Sequence, residues 1–391
     1  MKKIIAVAYG TREGGGSFQY ACAILETLSQ LPKEDYDVNF VYTSRDWDEV
    51  LARLGIKARF ISIGSFAFRL LRKLLKIWFA FCPQSRLAKF ATIDEVKFEV
   101  YRIQPEVCVC LNQVYIPVSR KTKLIAPIHD IMHRYESRFP EVGAVQEYID
   151  REFVARHLVA EASILVDSNV GKKQLIECYN CTPARIHVLP FIASVFLAGE
   201  SAKPKGLDIA SDVPFVFYPA QFWPHKNHIT LLKALFLLQK ELNIHAVFVG
   251  SAEKEGFAAI TDYIAAHGMK NRIHILGYVS DAEVQWLYQN AACMVMPSFF
   301  GPTNIPPLEA IQYGCPVATS NIYGNMEQLG DAALFFDPHS AEDLAHCIIS
   351  IMTNKRVRAV IVEAGYSLSK RWNAVAFKER FKTILLDIIC K

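Results

Sequence analysis

The chain has 391 residues, of which 52% are hydrophobic and 21% charged, and its formal net charge is +4. This length is too great for one ordinary hydrophobic core, so we expect two domains, and the composition excludes a disordered chain. The mild charge gives no reason to expect a nucleic-acid-binding protein. The apolar run in residues 1–9 is too short for a signal peptide and predicts a buried strand. No segment is apolar over a membrane-spanning length, so we expect a cytoplasmic protein.

Strand patterns alternate with amphipathic helices along the whole chain, which is typical of parallel α/β domains. We predict strands over residues 4–8, 38–42, 107–111, 123–127 and 164–167 of the first half. In the second half we predict strands over residues 214–218, 246–249, 273–276, 293–296, 316–318 and 333–335. Two successive sets of this kind predict two Rossmann-like domains, with the break near the polar stretch 198–212. An amphipathic helix is predicted over 374–389.

Three consecutive glycines, Gly14, Gly15 and Gly16, follow the first predicted strand and precede a predicted helix. Glycines at this place let the backbone approach a ligand at a helix N-terminus, although a plain flexible turn is an equally good interpretation. The run does not match G-x-G-x-x-G, and no full dinucleotide fingerprint follows any predicted strand. An NAD-dependent oxidoreductase is therefore the least favoured class.

The segment 68–81 is basic, aromatic and amphipathic at once. Its cations Arg69, Arg72, Lys73 and Lys76 are interleaved with leucines, Trp78 and phenylalanines. This composition favours a helix lying on a membrane surface, where each cation near anionic lipid contributes about 1 kcal/mol. The alternative is a helix that packs on the N-terminal sheet while its cations reach solvent. We favour the membrane contact.

A His-Asp pair, His129 and Asp130, follows the strand predicted over 123–127 and is followed by His133 and Arg134. Such a pair is a weak signal alone, because either residue often caps a helix or satisfies a polar core position. Ligands in open α/β sheets gather at the carboxyl ends of strands, which makes this a candidate site.

In the second half, the loop after the strand 214–218 contains Lys226. A lysine there can meet a diphosphate as a point charge, whereas alone it would be taken for a solvated loop residue. Gly250 ends another predicted strand, and Tyr278 and Val279 follow a third. These three positions can contact a nucleotide, or they can belong to ordinary strand-to-helix turns.

The segment 297–314 contains the most informative motif of the chain. It follows a buried strand pattern and leads through a Gly/Pro/Asn turn into a helix, an arrangement that favours an anion at the helix start. Two prolines, 306 and 307, lack amide protons, so any phosphate donors come from Thr303, Asn304 and Ile305. Glu309, about one turn inside, is suited to accept hydrogen bonds from the vicinal hydroxyls of a ribose.

This segment and the Lys226 loop resemble glycosyltransferase family 4, the group 1 sugar transferases. That family carries a context like PS-x-x-EGFG-x-PPLEA with two glutamates, of which Glu309 matches the second. Gly301 stands where the family has the first glutamate, and Gln221 stands where it has an arginine beside the lysine that Lys226 matches. The resemblance extends over nearly the whole chain, but it is specific mainly in 217–228 and 275–314.

The resemblance implies an α/β protein with the GT-B fold, in which two Rossmann-like domains face a central cleft. Residues 1–200 would form the acceptor-binding domain, and residues 201–372 the domain that binds the nucleotide sugar. Residues 373–391 would form a helix that returns to the N-terminal domain.

The resemblance also implies an activity. The protein would move a hexose or deoxyhexose from a nucleotide-diphosphate sugar to a saccharide or polyprenyl-linked saccharide, in surface polysaccharide or lipopolysaccharide assembly at the inner membrane face. Transfer would retain the anomeric configuration and use no metal or other cofactor. The implied catalytic residues are His129, Lys226 and Glu309. The implied donor-binding residues are Gly15, Gly16, Gln221, Lys226, Gly250, Tyr278, Val279, Thr303, Asn304, Ile305 and Glu309. Asp130 and Arg134 would contact the acceptor.

Other interpretations stay open. The losses at Gly301 and Gln221 favour a catalytically inactive, membrane-associated interaction protein with the same fold, whereas Lys226, Glu309 and His129 argue against it. A sugar-nucleotide epimerase or a phosphorylase would share the architecture. Two D-x-D patterns, at residues 35–37 and 46–48, resemble those of metal-dependent GT-A transferases, but no single-domain nucleotide pattern surrounds them.

Overall fold

The computed structural model describes residues 1–81, 94–193, 199–251, 256–301 and 303–390. Its N-terminal sheet has seven parallel strands: β1 (Lys2–Ala8), β2 (Tyr36–Tyr42), β3 (Ala58–Phe60), β4 (Val107–Cys110), β5 (Lys123–Pro127), β6 (Ala162–Val166) and β7 (Ile186–Val188). Its C-terminal sheet has six: β8 (Phe215–Pro219), β9 (His245–Val249), β10 (Ile273–Ile275), β11 (Cys293–Met296), β12 (Val317–Ser320) and β13 (Leu334–Phe336). The predicted α/β architecture with two Rossmann-like sheets is confirmed.

Helices cover both sheets. Those of the N-terminal half are α1 (Gly16–Ser29), α2 (Asp48–Leu54), α3 (Phe66–Phe81), α4 (Glu95–Ile103), α5 (Met132–Tyr135), α6 (Pro140–Gly143), α7 (Val145–Glu161) and α8 (Asn169–Tyr179). Those of the C-terminal half are α9 (His228–Leu238), α10 (Phe257–Ala266), α11 (Asp281–Asn290), α12 (Pro306–Gln312), α13 (Asn325–Leu329), α14 (Ala341–Thr353), α15 (Lys355–Arg371) and α16 (Ala374–Cys390). Because both sheet faces are covered, central strands such as β4 and β11 are buried at every residue.

The strand order places a ligand crevice in each domain. The sheets run β3-β2-β1-β4-β5-β6-β7 and β10-β9-β8-β11-β12-β13, so the order reverses between β1 and β4 and between β8 and β11. Open parallel sheets bind ligands outside the carboxyl ends of the strands at such reversal points. All eleven predicted strands are present, whereas β3 and β7 were not predicted. Each of these two is a three-residue edge strand, and β3 has no buried residue, whereas β10 and β13, which are equally short, were predicted.

The last helix packs on the N-terminal domain. Phe377 and Phe381 of α16 are fully buried, and Lys378 forms an ion pair of 2.8 Å with Glu26 of α1. Lys123 Nζ, at the start of β5, donates to the carbonyl oxygen of Ile388 at 2.8 Å. A cation at a helix C-terminus satisfies carbonyl groups that have no partner within the helix. The chain thus crosses twice between its two sheets.

Helix α3 shows an apolar surface to solvent. Among its described large apolar side chains, five are exposed: Phe66 (74%), Leu70 (47%), Leu71 (39%), Leu74 (56%) and Ile77 (58%). It contacts α4 through the rings of Phe68 and Phe98, whose centroids are 5.7 Å apart. A helix packed on the sheet by its apolar face would bury these residues, so the described side chains argue against that packing, and the membrane contact stays a prediction. None of the described helices is long and apolar enough to cross a membrane.

Candidate active site

A cavity of about 900 Å³ lies between the two domains at the carboxyl ends of both sheets. The loops after β1, β4 and β5 form its N-terminal wall together with α7, and the loops after β8, β9, β10 and β11 form its C-terminal wall. The predicted site residues that line it are Gly15, Gly16, His129, Asp130, Gln221, Lys226, Gly250, Tyr278, Val279, Thr303, Asn304, Ile305 and Glu309. The cavity thus collects all of the predicted site residues except Arg134.

Lys226 ends a short 3-10 turn, Pro224–Lys226, between β8 and α9. Asn227 follows in the left-handed region with φ 56°, and Tyr218 Oη donates to the Lys226 carbonyl oxygen at 2.8 Å. Burial lowers the pKa of Lys226 to about 8, while the carboxylates of Asp130 and Glu141 act in the opposite direction. Within the described part of the chain, no carboxylate forms an ion pair with it. This cation lines the cavity and can bind an anionic ligand there.

Glu309 lies in the first turn of α12 and is buried, with 6% of its surface exposed. The hydroxyl of Tyr288, on α11, donates to Glu309 Oε2 at 2.8 Å. Burial and the charge of Glu309 raise the pKa of Tyr288 well above its usual value, so this phenol stays protonated as a donor. The carboxylate is therefore held in one orientation while its side chain lines the cavity.

The loop before α12 is tied down by side chains on both domains. The backbone amide of Asn304 donates to Gln328 Oε1 at 3.1 Å, and Gln328 Nε2 donates to the Asn304 carbonyl oxygen at 2.8 Å. The hydroxyl of Thr303 donates to Asp167. The prediction that Asn304 donates its amide to a phosphate thus requires the hydrogen bond to Gln328 to open. The prediction that α12 begins with proline in its first turn is confirmed.

Gly301 cannot be exchanged for the family's glutamate without moving the loop. Its φ is +134°, a conformation that residues with a side chain rarely adopt. A Cβ built on it would lie 3.0 Å from Asn304 Oδ1 and 3.1 Å from Asn304 Nδ2. Asn304 itself is held by Asn325, with 3.2 Å between Nδ2 and Oδ1. The loop thus packs around Gly301 in a way that differs from what a glutamate at this position would need.

Gln221 does more than replace an arginine. Its Nε2 donates to the hydroxyl of Tyr278 at 2.9 Å, and its Oε1 accepts from the amide of Ser251 at 3.1 Å. The side-chain amide of Gln221 thus links two loops of the C-terminal wall. It also holds Tyr278, whose side chain is exposed. Gly250 serves the same packing, because a Cβ there would lie 2.4 Å from the Ala220 carbonyl oxygen.

On the N-terminal wall, Gln113 fixes the backbone of the His-Asp pair. Its Oε1 accepts from the amide of His129 at 2.9 Å, and its Nε2 donates to the Asp130 carbonyl oxygen at 3.0 Å. His129 Nε2 is buried and has no hydrogen-bond partner among the described residues. Burial lowers the pKa of His129 to about 4, against the opposing charge of Asp130, so the ring is neutral at pH 7.

Arg134, predicted to contact the acceptor, lies away from the cavity lining. Its Nε donates to Glu152 Oε2 at 2.9 Å and to the Tyr179 hydroxyl at 3.0 Å, so the guanidinium belongs to a network beneath the wall. The cation that lines the cavity here is Arg151, whose Nη1 donates to Asp130 Oδ1 at 3.1 Å. Arg151 could not be singled out from the sequence, because α7 carries no motif.

Several residues of the site were not predicted from the sequence. Asn112 and Gln113 follow β4, and Asp167 follows β6, so the rule about carboxyl ends of strands could have found them. The others have no local signal: Gln19, Glu147, Asp150, Arg151, Phe191, Asp281 and Tyr288. Neither D-x-D pattern contributes a residue to the cavity lining. Within the described ranges, no group of three or more metal-ligating side chains is found.

Three polar contacts join the walls beside the cavity. Asp167 is fully buried in the N-terminal domain, and burial raises its pKa to about 7 although it accepts from Thr303 and Ser168. Glu327 of α13 accepts from the first amide of α8, Asn169, at 2.8 Å. The carboxylate of Glu141 accepts from the amide of His225 at 2.9 Å. The loop that carries Thr303 is therefore positioned by both domains.

Comparison with known proteins gives matches among glycosyltransferases. Residues 200–368 match the family described as glycosyl transferases group 1. The O-antigen chain mannosyltransferase B of Escherichia coli is 28% identical over 160 residues, which cover 41% of this chain and 42% of that protein. The D-inositol 3-phosphate glycosyltransferase of Nocardia farcinica is 24% identical over 58% of this chain and 54% of its own length. The chain thus spans about half the length of these two curated relatives.

A longer match and two solved structures cover nearly the whole chain. The O-antigen chain mannosyltransferase RfbU of Salmonella typhimurium is 22% identical over 87% of this chain and 88% of its own length. The structure of HepE from Anabaena, in complex with UDP and glucose, is 16% identical, has a TM-score of 0.74 and covers 99% of this chain and 100% of that one. WaaG, a glycosyltransferase involved in lipopolysaccharide biosynthesis, is 13% identical with a TM-score of 0.68, over 98% of this chain and 99% of its own. The C-terminal domain therefore matches the group 1 glycosyl transferases, and the two domains together have the GT-B fold.

Proposed function

We propose that the protein transfers a hexose or deoxyhexose from a nucleotide-diphosphate sugar to a saccharide acceptor. The observation that carries this proposal is that Lys226 and Glu309 lie on one wall of a cavity and His129 lies on its other wall. Lys226 is suited to the diphosphate, and the buried carboxylate of Glu309 to ribose hydroxyls. The neutral ring of His129 reaches the cavity from the other domain, where it can bind a hydroxyl of the transferred sugar.

In the proposed reaction, the bond between the anomeric carbon and the diphosphate oxygen breaks, and the acceptor oxygen bonds to that carbon. The acceptor's proton passes to an oxygen of the departing diphosphate on the same face, so the configuration is retained. The protein mainly holds both reactants in place and stabilises the leaving diphosphate with Lys226. We propose that this needs no divalent metal.

The relatives suggest which donors to test first. Two of them are named as O-antigen mannosyltransferases, and the HepE structure holds UDP and glucose. A mannose nucleotide and a UDP-hexose are therefore the first candidates. The same names favour a role in assembly of a surface polysaccharide or lipopolysaccharide, with a lipid-linked saccharide as the acceptor.

The decisive experiment is a titration with GDP, UDP, dTDP and ADP in the presence of EDTA, followed by thermal unfolding. A nucleotide at about 100 times its Kd stabilises the fold by roughly 2.7 kcal/mol, and we expect one of the four to do so. Transfer from the matching nucleotide sugars is then measured. Binding by none of the four would favour the inactive interaction protein. Release of an isomerised nucleotide sugar without acceptor would favour the epimerase.

We further propose that α3 brings the protein to an anionic membrane surface at the cytoplasmic face. Its exposed apolar side chains lie beside the exposed cations Arg69 and Lys73. Replacing both cations by alanine should lower partitioning into vesicles containing phosphatidylglycerol about thirtyfold, because each contributes about 1 kcal/mol near anionic lipid. Lys355 and Arg356, exposed at the start of α15, provide a control pair of equal charge. Equal loss in both double variants would contradict a specific role of α3.

A further inference from the structure

The N-terminal wall of the cavity carries an excess of negative charge. Three carboxylates line it, those of Asp130, Glu147 and Asp150. Arg151 is the only lysine or arginine among the described lining residues of this wall. It is shared between two of the carboxylates, with 3.1 Å from Nη1 to Asp130 and 2.7 Å from Nε to Glu147. Three carboxylates against one guanidinium leave two formal negative charges facing the cavity.

The same wall holds two buried polar atoms that have no partner among the described residues, Gln19 Oε1 and His129 Nε2. Both side chains line the cavity. Buried polar atoms are seldom left unsatisfied, so a ligand is expected to supply the missing hydrogen bonds. The carbonyl oxygen of Gln19 can only accept a hydrogen bond, whereas carboxylate and phosphate groups offer no proton. A sugar hydroxyl or an amine offers a proton for this hydrogen bond.

The charge of the opposite wall also disfavours an anionic ligand on the N-terminal wall. Lys226 is the only lysine or arginine among the described lining residues of the C-terminal wall. Once the diphosphate of a donor is bound there, its negative charges outnumber this one cation. An anionic acceptor would then lie between two negative walls, and both would repel it.

We propose that the wall formed by Gln19, Glu147, Asp150 and Arg151 is the acceptor subsite, and that it takes a sugar that is uncharged or carries an amine. A sugar bearing a carboxylate or phosphate next to the accepting hydroxyl is rejected. The carboxylates of α7 accept from hydroxyl or amine groups, and Gln19 accepts from one more. This inference rests on the proposed function and deepens it, since it names the chemical class of the acceptor.

The test uses methyl α-glycosides with gluco, manno and galacto rings, each in three forms: neutral, 2-amino and 6-carboxylate. Transfer from the donor that the nucleotide titration selects is measured as kcat/KM. Within a ring type, we expect the neutral or amino form to exceed the carboxylate form at least about tenfold. A carboxylate form that reacts equally well or better overturns the proposal. Failure of every glycoside while the nucleotide still binds overturns the assignment of this wall as a sugar subsite. Absence of nucleotide binding instead marks failure of the proposed function.

Charge variants separate selection from simple loss of structure. In the double variant Glu147→Gln, Asp150→Asn, the ratio of carboxylate to neutral kcat/KM should rise about tenfold, because the excess negative charge is gone. The control Asp262→Asn removes one exposed carboxylate on α10, outside the cavity lining, and should leave the ratio unchanged. Gln19→Leu should raise KM for the preferred glycoside about tenfold and leave nucleotide affinity unaltered. An unchanged ratio in the double variant, or a Gln19→Leu effect on nucleotide alone, contradicts the proposal.

Discussion

The two walls of the cavity are built in different ways. On the C-terminal wall, Lys226 and Glu309 lie in short segments whose loops and helix starts belong to recognisable motifs. On the N-terminal wall, Gln19, His129 and Arg151 come from separate elements, α1, the loop after β5 and α7. The difference follows from the ligands proposed for each wall. A nucleotide diphosphate has the same chemistry in every donor, whereas acceptors vary and can be met by any suitably placed polar side chains.

The walls also differ in charge and in how their side chains are supported. Lys226 faces the cavity with no ion-pair partner among the described residues, whereas Arg151 on the other wall is paired with two carboxylates. Glu309 is supported by the phenol of Tyr288. The C-terminal wall is thus suited to an anion, and the N-terminal wall to groups that donate hydrogen bonds.

The largest effect is expected at Glu309. Glu309→Gln should lower kcat/KM for the donor about a hundredfold, because a charge-assisted hydrogen bond to the ribose is lost and the buried Tyr288 hydroxyl loses its anionic acceptor. Tyr288→Phe should cost about tenfold, since the carboxylate remains but is less well held. Acceptor KM should change little in both variants. Unchanged donor kcat and KM in Glu309→Gln would contradict the assignment of the nucleotide site.

Lys226 should show a charge effect with a pH signature. Lys226→Ala should weaken nucleotide binding about thirtyfold through loss of a cation from the diphosphate. Burial lowers the pKa of Lys226 to about 8, so the free protein loses this charge as the pH rises through that value. Nucleotide affinity measured by calorimetry should therefore fall between pH 7 and 9.5 in the wild type. Lys226→Arg stays charged and should flatten this profile. Parallel pH profiles for the lysine and arginine proteins would rule out this role.

Restoring the family's glutamate should do harm rather than good. Gly301→Glu places a side chain at φ +134° against Asn304, so the loop before α12 must shift. We expect about a tenfold loss in donor kcat/KM, with nucleotide affinity less affected than transfer. Gly301→Ala serves as the control for backbone strain without the carboxylate. A gain of activity in Gly301→Glu would show that the loop tolerates the family's arrangement.

Asp167 joins the two walls, and its variant should have the smallest kinetic effect. Asp167→Asn should lower kcat/KM about threefold, because Thr303 keeps a weaker acceptor. Burial raises the pKa of Asp167 to about 7, above its ordinary value of 3.8, so the folded state binds the extra proton between these values. The contribution of Asp167 to stability is present below about pH 4 and is lost as the pH rises through 7.

The matching measurement is denaturant unfolding of both proteins from pH 4 to pH 8. The free energy of unfolding of the wild type should fall relative to Asp167→Asn as the pH rises, by up to a few kcal/mol. Asp262→Asn, an exposed carboxylate variant, should follow the wild type. A difference between wild type and Asp167→Asn that does not vary with pH would contradict the raised pKa.

Much of the fold could be predicted from the sequence, because buried parallel strands are continuous apolar runs that alternate with amphipathic helices. All eleven predicted strands are present on that account. The three-residue edge strands β3 and β7 were not predicted, although β10 and β13, which are equally short, were. On the C-terminal wall, Lys226, Thr303 and Glu309 were found from local motifs that place a strand end, a turn and a helix start close together in the chain.

The contacts of those residues depend on segments that are distant in the chain and could not be predicted. The pairing of Asp167 with Thr303 spans 136 residues, and that of Glu309 with Tyr288 joins two helices, so neither leaves a local pattern. Nothing in the sequence distinguishes Arg134 from Arg151. In the structure, Glu152 holds Arg134 beneath the wall, whereas Arg151 lines the cavity. The architecture and the residues of the C-terminal wall could be predicted from the sequence, because these follow from short-range periodicity and backbone geometry. The N-terminal wall depends on the packing of distant segments, since burial and partners follow from which side chains folding brings together.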